Sequence, residues 1–372
     1  MKKIFLAIIC ILFTTKMMSQ DFNQLKAYLD KNITEKKSPG VQFVVANSTG
    51  ILFEYNSGMA NIEENIPVDS DTQFKMYSST KLITMISVLQ LAEQGKIELD
   101  SPITNYLDMD FSPAITVRKV LSHTAGFNRN PFFKELHLEE EDSTFSYSDF
   151  MKYAIPKYNK TIYEPGKKNV YSNYGYMVLS ALVQEVSGTG YEDYIDKNIT
   201  SKINLAASDY LGFKYTEKTA KGYQKRGTLM HWFYTLLIDT KKYYSSKTKK
   251  WQGLNNLYMK GLGFGGGFSN AKALSKLMAS LMENKLLSEN SLKESFSKQL
   301  YKGNKSSKQT LGWWHGEVNG HPSYFHPGGG GGYSCEIRIY PKSGLVRIMM
   351  MNKTQTFGDL KMFSDIDKLW LS

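Results

Sequence analysis

The chain predicts a mixed fold of α-helices and antiparallel β-strands (α/β in content, α+β in arrangement), divided into two subdomains. Three observations predict it. Strand-like runs sit near both ends, at Val41 to Ala46 and Ile51 to Tyr55, then at Ser334 to Tyr340 and Leu345 to Met351. The interval from roughly Gly95 to Asn290 reads as helices and loops. About 350 residues follow the leader, more than one ordinary core organises, and no internal repeat relates them.

The first element is a leader. Met1-Lys2-Lys3, an apolar core from Ile4 to Phe13 and Met17-Met18-Ser19-Gln20 have the layout of a secretory signal peptide over 1–20, with cleavage after Ser19 or Gln20. The core is too short to span a bilayer, and Cys10 has no small residue before it, which argues against a lipoprotein site. Export to the periplasm or the extracellular space is the expectation. Cys335 then remains alone on a predicted buried strand, with no internal disulfide to form and little thiol reactivity. Loss of Lys2, Lys3 and Lys16 with no acidic residue takes the formal net charge from +11 to +8. That balance favours encounters with anionic envelope surfaces.

After the leader, helical patterning runs from Phe22 to Lys36, and the first two strands follow. A polar turn, Asp69-Ser70-Asp71-Thr72, leads through Phe74-Lys75-Met76-Tyr77 into the apolar run Leu82 to Leu91, a buried helix whose first turn carries Ser78. Glu164-Pro165-Gly166 marks a turn that puts Tyr171-Ser172-Asn173 on a loop before a helix from Tyr176 to Val186. The segment His231 to Ile238 is rich in aromatics; core packing is the default, and exposure would make it an acyl-binding wall or a lipid contact. Lys241 to Trp251 mixes cations with aromatics, but with no nucleic-acid motif it reads as an exposed hairpin or loop. Near the end, Ser343-Gly344 joins two strands as a hairpin, and a helix runs from Phe357 to Leu371.

Three motifs carry chemistry: Ser78-Ser79-Thr80-Lys81, Tyr171-Ser172-Asn173 and His326-Pro327-Gly328. Ser78 and Lys81, three apart on a helix, share a face, so the amine can take the hydroxyl proton once it is neutral. Burial and the helix N-terminus both push its pKa down. S-x-x-K alone is weak, because Ser246/Lys249, Ser269/Lys272 and Ser295/Lys298 repeat it. Tyr171 supplies a phenol able to relay a proton, and Asn173 a donor and acceptor for a substrate amide or the lysine. His326 is a cation-capable group ahead of five consecutive glycines, Gly328 to Gly332, whose backbone N–H groups suit an oxyanion hole with that of Ser78. No Gly-Lys-Ser/Thr follows the glycines, which excludes a phosphate loop. The other histidines lack compact metal spacing, and His123 reads as a loop-stabilising group bonded to backbone; neither metal nor cofactor is expected.

These motifs, with Leu89 to Ile97, Val120-Leu121-Ser122-His123-Thr124-Ala125-Gly126-Phe127 and Gly265-Gly266-Gly267-Phe268-Ser269, resemble the serine β-lactamase-like hydrolases. The class C β-lactamase and DD-peptidase/esterase branch is the most similar. The resemblance implies that both chain ends build one sheet flanked by helices, a subdomain of about 21–94 plus 291–372, with a helical subdomain of about 95–290 inserted. It implies an acyl-enzyme on Ser78, acid/base work shared by Lys81 and Tyr171, and substrate binding by Asn173. His326 stands where many relatives carry the lysine of a K-T-G motif. Gly328 keeps the strand open, and Gly329 offers the second oxyanion N–H. Pro327 departs from the threonine that often meets a penicillin or peptide carboxylate, since it has neither hydroxyl nor N–H. The expected function is hydrolysis of an ester or amide in a small-molecule or peptide-like substrate. The alternatives are a penicillin-recognising D-alanyl-D-alanine carboxypeptidase or class C-type β-lactamase, and a catalytically silent binding protein of the same fold.

Overall fold

The computed structural model describes residues 22–34, 37–128 and 136–371, so the segment 1–20 read as a leader lies outside the described residues. Seven strands form the main sheet: β1 (Gly40–Asn47), β2 (Gly50–Asn61), β3 (Ile66–Pro67), β4 (Trp314–Val318), β5 (His321–Gly330), β6 (Tyr333–Tyr340) and β7 (Leu345–Met351). Their order is β4-β5-β6-β7-β1-β2-β3, and every neighbouring pair is antiparallel. The two chain ends meet where β1 pairs with β7, in a register from Val41 opposite Met351 to Ala46 opposite Val346.

Alternation along these strands sorts side chains onto two faces. Val41, Phe43, Val45, Met349 and Met351 point to one layer with Leu25, Leu29 and Phe363 of the terminal helices and Trp370 of the turn that follows the last one. Val44, Ala46, Ile337, Ile348 and Met350 point to the other, larger core. There they meet α1 (Lys81–Glu93), α2 (Asn173–Ser187) and α4 (Ala271–Met282), while α3 (Leu229–Leu237) lies further out and α5 (Phe357–Asp367) closes the first layer. The α4 helix, inside the interval read as the helical insertion, packs on β1 and β7. The apolar run after Ser78 is buried throughout, from Leu82 to Leu91, so α1 is a central helix covered on all sides. The Lys241 to Trp251 stretch forms a short helix and then a hairpin, with Tyr244–Lys247 paired to Trp251–Leu254.

The terminal-helix layer contains a buried charge network. Arg347 on β7 reaches Asp367 on α5 at 3.0 Å and also binds Glu336 on β6. Arg338 binds Glu336 at 3.0 Å, and the Tyr340 hydroxyl donates to Asp367 at 2.7 Å. Removing one partner strands a desolvated charge, which costs far more than the intact pair contributes. Asp367→Ala should therefore lower unfolding stability by about 3–5 kcal/mol. Denaturant unfolding of the variant against the parent checks it, and a loss below about 1 kcal/mol contradicts the account.

Candidate active site

The turn that carries Ser78 is fixed by backbone contacts before any side chain is considered. Phe74–Lys75 pairs with Phe268–Ser269, and the Met76 N–H donates to the Gly267 carbonyl at 2.8 Å. Tyr77 then adopts a left-handed backbone, φ +45°, unfavourable for a residue with a Cβ and held by its surroundings. Its buried ring anchors it, the hydroxyl donating to the Gly331 carbonyl at 2.6 Å. Ser78 follows, half-buried in the 3-10 turn Tyr77–Thr80 that runs into α1. On its far side the Ser79 hydroxyl donates to the His326 carbonyl at 3.0 Å.

These ties press β5 against the turn. A Cβ on Gly328 would lie 1.9 Å from the Met76 carbonyl oxygen and 2.9 Å from the Ser79 nitrogen, so only glycine permits the approach. Gly329, the next residue, pairs with Ser334 on β6 and sits against the Gln355 side chain.

Lys81 is fully buried. Its Nζ lies 3.1 Å from Ser78 Oγ, 2.9 Å from Asn173 Oδ1 and 2.7 Å from the Phe264 carbonyl oxygen. Burial alone holds its pKa well below the ordinary 10.5. A neutral amine has two N–H donors and one lone pair. The Asn173 and Phe264 oxygens are acceptors that take both donors, which leaves the lone pair facing the serine hydroxyl. The Phe264 carbonyl comes close because Gly263 rests on α2, where a Cβ would lie 2.6 Å from Ser180 Cβ. Sequence reasoning missed Phe264, since a backbone acceptor leaves no residue-type signal; the nearby glycines were the available hint.

Tyr171 and Asn173 arrive together at the start of α2. That helix begins three residues before the predicted Tyr176, because Ser172 caps it by accepting from the Gly175 N–H at 3.3 Å. The Tyr171 ring centroid is 4.9 Å from Lys81 Nζ and 6.2 Å from the His326 ring. His123 holds it in place. Its carbonyl accepts from Val170 N–H at 2.8 Å, its Nδ1 from Ser172 N–H at 3.2 Å, and its ring packs 4.5 Å from that of Tyr171. The loop-stabilising reading of His123 agrees with these contacts, and its target is the residue carrying the phenol.

The sequence leaves the proton state of the cation-capable His326 open, and its surroundings bear on it. It is buried, its Nδ1 donates to the Pro327 carbonyl at 3.0 Å, and burial, followed by the nearby Lys81, pulls its pKa down to about 3. The ring is neutral, and Nε2 is an acceptor with no hydrogen-bond partner among the described residues. The other S-x-x-K candidates are structural: Ser269 Oγ donates to the Tyr210 carbonyl at 2.6 Å, Ser295 Oγ to the Leu292 carbonyl at 2.7 Å, and Ser246 Oγ to Glu63.

A serine–lysine pair under an antiparallel sheet, with a tyrosine and an asparagine delivered by a second helix, defines the β-lactamase/transpeptidase class of fold. The chain belongs to the Beta-lactamase family, which it matches over residues 25–366. Members of this family are generally serine hydrolases. It is similar to Protein flp of Staphylococcus aureus (strain NCTC 8325 / PS 47), 20% identical over 57% of this chain and 43% of that one. It is also similar to Esterase EstB of Burkholderia gladioli, 34% identical over 28% of each chain. The matched regions thus span less than half the length of these curated relatives. Among solved structures, the D-amino acid amidase of Ochrobactrum anthropi SV3 in complex with D-phenylalanine superposes with a TM-score of 0.75, at 17% identity, over 94% of this chain and 98% of that one.

Gly328→Ala should displace β5 from the nucleophile turn by about 1 Å and reduce Ser78 reactivity by roughly 100-fold while the fold persists. Labelling rate and near-ultraviolet circular dichroism, measured together, check both halves.

Proposed function

We propose that this protein is an exported serine hydrolase that cleaves an ester or amide through an acyl-enzyme on Ser78. The observation that carries the reading is the buried Lys81, its Nζ 3.1 Å from Ser78 Oγ and also held by the Asn173 and Phe264 oxygens, with burial lowering its pKa. Lys81 takes the Ser78 proton as Oγ attacks the carbonyl carbon. The resulting oxyanion is held by the N–H groups of Ser78 and Gly329. Tyr171, close to Lys81 and His326, passes the proton to the leaving group. Water then enters, and the same groups run in reverse to free Ser78. Asn173 fixes the lysine and meets the substrate. His326, being neutral, offers Nε2 to a substrate N–H or O–H.

This polarity bears on substrate choice. A carboxylate gains little from a neutral histidine acceptor or from Pro327, which has no N–H. Cations nearby in sequence are committed: Arg338 to Glu336 at 3.0 Å and Lys353 to Asp359 at 2.6 Å. Esters and amides without a penicillin-type carboxylate are therefore the favoured class, and the esterase and amidase among the similar proteins support that direction. The signal-like leader supports action outside the cytoplasm.

Incubation with a fluorophosphonate probe, read by intact mass, should label the parent chain and leave Ser78→Ala unmodified. Absence of label on the parent overturns the hydrolase reading and favours a silent binding protein. Benzylpenicillin should give neither lasting adduct nor Ser78-dependent turnover; either would move the reading to the penicillin-recognising class.

The pH dependence follows from Lys81. Its neutral form is the reactive one, so labelling should fall as pH drops through its folded pKa, placing the acidic limb well below 10.5. Lys81→Arg places a permanent charge at that position and should remove labelling at every pH. With its pKa down to about 3, His326 should add no inflection near neutrality.

A further inference from the structure

Core packing is the default for the aromatic segment before the basic cluster, but the structure turns its apolar side outward. In α3 (Leu229–Leu237), Leu229 is 80% exposed, Trp232 62%, Phe233 48% and Leu236 64%. Their spacing places all four on one helical face. A helix of a soluble domain ordinarily turns such a face to its core. The opposite side is the anchored one. Gln224 Nε2 donates to the Met230 carbonyl at 3.2 Å, and the His231 ring stacks on Tyr244 with 5.9 Å between centroids.

Charge surrounds this face. Residues 221–250 hold eight lysines and arginines against one acidic residue, Asp239, a formal +7 for the segment, of which Lys221 pairs with Glu63 at 3.5 Å and Lys242 with Glu141 at 2.6 Å. Lys225, Lys241, Lys247, Lys249 and Lys250 are exposed, while Asp239 caps the next short helix through the Lys241 and Lys242 N–H groups. A large outward apolar face within a dense cationic field is the physical signature of a helix lying in a lipid interface. At about 1.5 Å per residue the helix is far too short to span a bilayer.

From the exposed face and the charge around it, we infer that α3 and its basic hairpin dock the protein onto an anionic phospholipid surface. A second copy of the chain fits poorly as the occupant, because two segments of +7 would face each other. The docking element also lies beside the candidate cleft. The strand leading into α3 begins at Tyr223, whose N–H donates to the Gly332 carbonyl at 3.3 Å, at the end of the glycine run. Docking would therefore bring the Ser78 side of the molecule to the bilayer, where amphiphilic substrates concentrate. The inference does not depend on the hydrolase reading, since vesicle binding and serine labelling are measured separately.

The test uses the full chain with vesicles of phosphatidylcholine alone or containing three parts in ten phosphatidylglycerol. The leader is present in every sample, so only differences between variants are read. Co-sedimentation should be at least ten-fold stronger with phosphatidylglycerol, and should weaken with salt. The triple variant Leu229→Ser/Trp232→Ser/Leu236→Ser, altered only at exposed positions, should lose at least ten-fold in vesicle affinity and keep the parent's probe labelling. Brominated lipid should quench the parent's tryptophan fluorescence, and Trp232→Phe should abolish that quenching while binding persists. Equal affinity of parent and triple variant, or quenching that survives Trp232→Phe, overturns the inference. So does lipid-free self-association of the parent that the triple variant lacks, which would assign the face to a second copy.

Discussion

Burial of the Lys81 amine without a carboxylate is the constraint on which the site depends. An ammonium at that position would be desolvated with no carboxylate partner among the described residues, so burial lowers the amine's pKa and two oxygens satisfy it. Those oxygens come from residues 92 and 183 positions away along the chain. Three elements must therefore pack correctly around one nitrogen: α1, the start of α2 and the glycine-rich segment at Phe264. In the unfolded chain the same lysine is protonated below its ordinary pKa, so keeping it neutral makes folding less favourable. The apolar packing that covers α1 on all sides offsets that cost.

The sheet performs a complementary task. Pairing β1 with β7 joins the chain ends and carries β5 to the nucleophile turn, where contact is backbone against backbone at Gly328. Such contact transmits small shifts directly, because neither side has a flexible side chain to absorb them. The Arg347, Asp367 and Glu336 network stiffens the far face of this sheet by tying β6 and β7 to α5. Positioning of Tyr171 follows similar logic. His123 grips the residue before it and the residue after it, so the phenol stands on a loop whose backbone is held at two points.

Polarity divides the molecule functionally. At the candidate site burial lowers the pKa of both Lys81 and His326, and His326 presents Nε2 as an acceptor. The cations concentrate instead on the hairpin beside α3, away from the reacting atoms. One region is thereby suited to bond-making chemistry in a low-dielectric setting and the other to long-range attraction.

Much of this was legible in the residues themselves. Strand alternation at both ends foretold the sheet, the unbroken apolar run foretold a buried α1, and the three-residue spacing put Ser78 beside Lys81. Such features are local: side-chain period and helical geometry need no knowledge of the partner. Family resemblance added that the two ends would share one sheet. Packing decided the rest. The Phe264 carbonyl has no sequence signature because every residue has one. The proton state of His326 depends on how much water its neighbours exclude, and the grip of His123 on Tyr171 depends on a loop closed across 47 residues. The outward face of α3 has the composition of a core helix, so only its place in the fold distinguishes a buried seam from an exposed one. The sequence by itself determined the local elements and the pairing of Ser78 with Lys81, because these follow from spacing. Tertiary structure decided which groups are neutral, which are held and which are exposed, because burial belongs to the assembled chain.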